Sequence, residues 1–169
     1  MSVFFSMTVI SMVILFMFII VGVIKFGILP SYSAHSTKWL EISPKVSLWT
    51  MFTTMAAMLL VPVLIELGEN NPLQFLGFFA PVYLIATALT PRWESDSSEH
   101  KYHMIFAALC AVTGVAWVVF VTHTVPILLG VTAGVVVLGL LTRSLVSAKT
   151  FWAEMIAFLS VYLSILIAL

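Results

Sequence analysis

The chain has 169 residues, with seven basic and seven acidic side chains and no net charge at neutral pH. Apolar residues make up 62% of it and charged residues 8%, at a mean hydropathy of +1.18, whereas a soluble domain carries about 25% charged residues. An ordinary soluble domain is excluded. Nucleic-acid binding is excluded with it, because no loop holds enough basic residues to neutralise several phosphates, and the implied partner is the lipid bilayer.

Six apolar stretches follow one another, at about 3–24, 46–67, 73–90, 102–122, 127–142 and 150–169. The first runs 22 residues without a charge, which is roughly 33 Å of helix. No basic residue precedes it and no small-x-small cleavage site follows, so it is expected to be a retained span and not a signal peptide. Lys25, which can snorkel, and Pro30 mark its end. Ser43-Pro44 predicts an N-cap followed by proline at the first helical position, opening the second stretch, which stops near Gly68. Asn71-Pro72 repeats that signal after a tight turn, and the third stretch reaches Thr90, ahead of Pro91. Asp96-x-x-Glu99 resembles a capping box with Asp in the capping place. It starts the fourth helix before the membrane, with His100 and His103 on its first turns. His123, Thr124 and Pro126 turn into the fifth stretch, and the last one just reaches across at roughly 30 Å.

The basic residues assign sides to this pattern. Lys25, Lys38 and Lys45 fall in the first loop, Arg92 and Lys101 in the third, and Arg143 and Lys149 in the fifth. With six crossings these three loops share one side, and cytoplasmic loops are the ones enriched in Lys and Arg. The fold class expected is therefore an all-α polytopic helix bundle, a single domain with six transmembrane helices and both termini outside. A cell membrane, of the bacterial inner-membrane type, is the expected location. No internal repeat is visible, which leaves an inverted-repeat transporter without support. Cys110 is the single cysteine and allows no intrachain disulfide.

Small residues suggest packing faces. Ala107-x-x-x-Ala111 and Gly130-x-x-x-Gly134 each place two small side chains on one helix face, so the fourth and fifth helices are expected to meet there. Gly130 and Gly134 also offer a face for a homo-oligomer. Pro62 and Pro81 should kink the second and third helices, freeing the carbonyls of Met58 and Gly77. Trp39, Trp49, Trp93 and Trp152 sit where an interfacial aromatic belt belongs.

Chemistry-bearing residues concentrate at the cytoplasmic end. Ser31, Ser33 and His35 follow Pro30, His100 and His103 open the fourth helix, and Glu154 lies four residues into the last stretch. An ionisable group inside a span is a functional candidate, since burying its charge in hydrocarbon costs several kcal/mol. Glu154, His103 and Ser33 are the catalytic candidates, and Glu154 can instead snorkel or pair with Lys149 or Arg143. His100 and His103, three apart on one helix face, with His35 as a third nitrogen donor, are the metal candidates. Histidines and a carboxylate around an open position would suit a hydrolytic zinc ion. No other cofactor is indicated.

Pro30-Ser31-Tyr32-Ser33-Ala34, His103 four residues before Ala107, Cys110-Ala111-Val112 and Phe151-Trp152-Ala153-Glu154 resemble a group of small multi-pass membrane proteins of gut bacteria and their phages. That group has no assigned activity, so the resemblance implies a fold only. More remotely, Ser, His and a carboxylate near one membrane face are similar to the CREST superfamily of membrane hydrolases, which includes alkaline ceramidases and progestin/adipoQ receptors. Those proteins have seven spans and an HxxxH motif in the last, where this chain has six stretches and only Glu154. Three functions follow as expectations: first a non-enzymatic membrane bundle that modifies the envelope or binds a partner, then a small transporter or channel, then a CREST-like metal-dependent hydrolase. Whether the protein is an enzyme is not decided by these residues.

Overall fold

Each apolar stretch becomes a helix in the computed structural model, which describes residues 3–43 and 47–169. Among the described residues there are seven helices and no strand: α1 (Val3–Phe26), α2 (Ala34–Ile42), α3 (Leu48–Leu67), α4 (Phe75–Ala88), α5 (Ser97–Phe120), α6 (Val125–Leu141) and α7 (Lys149–Ala168). The all-helical expectation holds. Against the six spans expected, four helices, α1, α3, α5 and α7, are long and apolar enough to cross a membrane. The 14 residues of α4 and the 17 of α6 give roughly 21 and 26 Å, short of a hydrocarbon core of about 30 Å.

Local chemistry explains the short helices. Before α4, the Asn71 side chain accepts the Leu73 N–H at 2.8 Å and holds residues 71–74 in turns. After it, Pro91 pushes Thr90 out of helical geometry. At the end of α6, Arg143 takes the left-handed conformation, with φ of 54°. There Arg143 N–H donates to the Leu140 carbonyl and Ser144 N–H to that of Gly139, the two bonds of a Schellman stop.

Two start signals behave differently from each other. Asp96 caps α5, its carboxylate accepting the Ser98 and Glu99 amides at 2.8 and 3.1 Å, but Glu99 reaches the Arg92 amide and not back to Asp96. The Ser43-Pro44 cap falls partly on residues 44–46, which lie outside the described residues. Ser47 caps α3 instead, accepting from Thr50 N–H. The helix α2 was not expected. It turns the first loop back across the end of the bundle and buries His35, Ser36 and Trp39.

Around the bundle the packing order is α1, α3, α4, α5, α7 and back to α1, with α6 set outside against α7. α5 and α6 touch only near their turn. The expected α4-to-α5-type contact through Ala107, Ala111, Gly130 and Gly134, between what are now α5 and α6, is therefore overturned. Gly130 and Gly134 are exposed, with nothing within 4 Å of an added Cβ, and Ala111 is exposed too. Close approach falls elsewhere: a Cβ on Gly77 would lie 2.8 Å from the Leu64 carbonyl oxygen, so glycine lets α4 press onto α3.

The bundle is apolar outside and holds its small polar groups inside. Ile10, Val13, Met17 and Ile20 of α1 are exposed, whereas Thr8 and Ser11 of the same helix are fully buried. Ser11 donates to the Ala56 carbonyl at 2.7 Å, so its second bond, also 2.7 Å, must be accepted from the Tyr162 hydroxyl. One serine thus ties α1, α3 and α7. Such an exterior needs lipid, and buried hydroxyls that find carbonyls are how helices associate there.

Gly77→Val should destabilise the protein by about 1–3 kcal/mol through overpacking, while Gly130→Val should change stability by no more than about 0.5 kcal/mol. Chemical unfolding of both variants in the same detergent checks the contrast.

Candidate functional site

Loops one, three and five gather at one end of the bundle. Ser36 donates to the Pro91 carbonyl at 3.1 Å, Trp93 Nε1–H to that of Ser33 at 3.2 Å, and Phe151 N–H to that of Pro30 at 2.9 Å. The segment from Pro30 to Ser33 is irregular, so its backbone groups need partners from outside. Glu154 supplies one. Its Oε2 accepts the Tyr32 N–H at 2.6 Å, while the Tyr32 hydroxyl reaches down to Thr53 of α3, also at 2.6 Å. Burial holds the Tyr32 phenol above its ordinary range, with Thr53 opposing, so it remains neutral.

Glu154 faces a cavity between α1, α3, α4, α5 and α7. Its volume is about 80 Å³, so it is a small slot. Tyr32, Ser33, Trp49, Thr87, Cys110 and Glu154 line one end, and Leu60, Leu64, Pro81 and Val161 line the deeper part. The alanines at 107 and 111, read from sequence as a packing face, belong to this lining. Pro81 does as well, which places one of the two in-helix prolines beside the cavity.

The catalytic candidates are only partly brought together. Ser33 and Glu154 share the cavity, but Ser33 Oγ is hydrogen-bonded to Ser31 Oγ at 3.0 Å. His103 is buried away from its lining, between Trp93, with ring centroids 4.8 Å apart, and Trp49, 6.2 Å away. His103 Nδ1 lies 2.9 Å from Thr90 Oγ1, whose own proton goes to the Thr87 carbonyl. The proton between them must then be on Nδ1, leaving Nε2 an unprotonated acceptor. That Nε2 is buried without a partner among the described residues, as is Trp49 Nε1. No hydrogen bond links Ser33, His103 and Glu154 to one another among the described residues.

The three metal candidates stand apart. His35 is buried, its Nδ1 3.2 Å from the Tyr32 carbonyl and its Nε2 3.3 Å from that of Gly27. His100 is exposed, with Nδ1 3.2 Å from the Trp93 carbonyl. Among the described residues no three His, Cys, Asp or Glu side chains are grouped to hold a metal ion. The expected belt also differs: Trp39, Trp49 and Trp152 are buried and plug the end of the bundle, and Trp93 is half-buried.

Sequence reasoning missed Tyr32, Tyr162, Thr53 and Cys110 as members of this interior. A signal existed for α7, where Ser160, Tyr162 and Ser164 put three hydroxyls within five positions of an apolar stretch. Comparison with protein-family models, with curated proteins and with solved structures gave no match. The fold thus defines a helical bundle with four helices suited to a membrane, and its role rests on its own residues.

Burial holds the His35 ring below the ordinary histidine range, with the carbonyls of Gly27 and Tyr32 opposing. A histidine kept neutral by folding stabilises the protein fully above the unfolded value of about 6.5 and loses that contribution as pH falls below it. The melting temperature in detergent should therefore fall between about pH 7 and about pH 5, and His35→Gln should flatten that slope.

Proposed function

We propose that the chain is an integral membrane protein that crosses six times, and that it binds a small amphiphile from the lipid phase without covalent chemistry. The carrying observation is the narrow cavity with one carboxylate at its end. Loops one, three and five, which contain all seven Lys and Arg of the chain, are taken as cytoplasmic and both termini as external. In this reading α4 and α6 also cross, with local thinning of the bilayer and the flanking turns making up the missing length. A bacterial inner membrane fits the chain's loop charges. Binding is favoured over hydrolysis because His103 lies outside the cavity that Glu154 and Ser33 share, and no hydrogen bond among the described residues links the three. It is favoured over a channel because the cavity walls are mostly apolar and narrow.

Topology has its own test. In a Cys110→Ala background, Glu69→Cys should react with a membrane-impermeant maleimide in intact cells, and Ser95→Cys only after permeabilisation. The reverse pattern would invert the orientation, and labelling of both in intact cells would end the six-crossing reading.

For the binding reading, Ala157→Phe fills the slot from α7. The purified wild-type protein should carry a saturable amphiphile in extracts analysed by mass spectrometry, and a folded Ala157→Phe protein should carry at least tenfold less. Equal loading of both would show that the amphiphile sits elsewhere.

A further inference from the structure

We propose that the cavity's ligand is a single-chain alkylammonium, with its amine at Glu154 and its chain directed along α7 toward Val161. This rests on the reading of the cavity as a binding site and names the chemistry that it selects.

The carboxylate carries the first part of the argument. Glu154 has one hydrogen-bond partner among the described residues, the Tyr32 amide on Oε2. Salt bridges among the described residues are confined to Lys38 and Glu41, so no described Lys, Arg or His neutralises it. The sequence alternatives, Lys149 and Arg143, do not reach it. A carboxylate inside an apolar slot needs a cation or a proton, and Oε1 remains free to accept. An ammonium supplies charge and N–H donors together.

Aromatic rings carry the second part. Tyr32, Trp49 and Phe158 line the cavity around Glu154, with Tyr32 5.8 Å from Trp49 and 5.7 Å from Phe158 between ring centroids. Ring faces attract a cation, most strongly that of Trp, and the attraction grows when water is excluded. A carboxylate among three rings selects for positive charge twice over. An anionic or neutral head group meets neither attraction.

The shape fixes the rest of the molecule. From Glu154 to Val161 is seven residues of α7, roughly 10 Å along the helix axis. Over that length the walls change from hydroxyl, thiol and carboxylate to Leu60, Leu64, Pro81 and Val161. A slot this small, with mostly apolar walls, suits one hydrocarbon chain and not a pair of chains. Entry is from the side: Ala107 and Cys110 of α5 and Ala157 and Val161 of α7 line the cavity and are half-buried, and Ala111 is exposed. Between these small side chains the slot opens where the surrounding surface is apolar, so the ligand arrives through lipid.

Decylamine is the probe, and decanol its uncharged counterpart of the same length. Binding to the full chain in nanodiscs of zwitterionic lipid is measured against empty discs, and alkylation of Cys110, the chain's single thiol, locates the ligand. The expected result is saturable decylamine binding, at least tenfold tighter than decanol, with Cys110 protected. Glu154→Gln, which keeps an acceptor for the Tyr32 amide, should lose that preference. If decanol binds the wild-type protein as tightly as decylamine and both protect Cys110, the amine assignment is overturned and the cavity reading stands. If neither binds above empty discs and alkylation is unchanged, both readings fall. The wild-type comparison decides the matter even where the Glu154 variant fails to fold.

Discussion

The amide of Tyr32 lies in a stretch of chain that is neither helix nor solvent-exposed loop, and in an apolar bundle such a group must be given a partner or cost several kcal/mol. Glu154 provides it at 2.6 Å, and much of the bundle's end is arranged around that one contact. Because the loop is held down, Tyr32 can reach Thr53, Ser33 can turn its carbonyl to Trp93, and α2 can lie across the helices with Trp39 beneath it. The same carboxylate then forms the polar end of the cavity. A structural tie and a chemical group coincide in one side chain, and no described lysine pairs with it.

Hydroxyls elsewhere in the bundle do what Glu154 does at this end. Ser11 joins α1 to α3 and α7, and Thr124 is hydrogen-bonded to Ser164 at 2.5 Å, linking the start of α6 to α7. With lipid outside there is little hydrophobic gain in helix association, so such bonds and close glycine contacts set the packing. The cavity persists among them because Ala107, Ala111 and Ala157 are too small to fill the space between α4, α5 and α7.

How much of this could be read in advance follows from the kind of signal each residue gives. Long uncharged runs and a cap at Asp96 are local properties, and α1, α5 and α7 follow them closely. The third stretch reads too long because hydropathy continues through Leu73 and Leu89 while the helical backbone does not. An Asn71 turn delays the start of α4 and Pro91 follows its end, whereas the 17 residues of α6 match the fifth stretch to within two positions at each end. Small residues at four-residue spacing say that something can come near, not what does. On α6 nothing in the chain does, and on α5 the alanines border a void. Glu154 stands out as a lone carboxylate in an apolar run, whereas Trp49 reads as an interfacial aromatic and Tyr32 gives no signal until the fold turns it inward.

The bond between Tyr32 and Glu154 joins residues 122 positions apart, and its acceptor is carried by α7. During synthesis the Tyr32 amide therefore has no Glu154 partner until α7 has been made, although its hydroxyl can already meet Thr53 of α3. α1, α3, α4 and α5 can assemble as an open arc before then, but the arc has no closing member and no floor. A quality-control protease that recognises an undocked first loop would thus distinguish chains with α7 in place from chains without it.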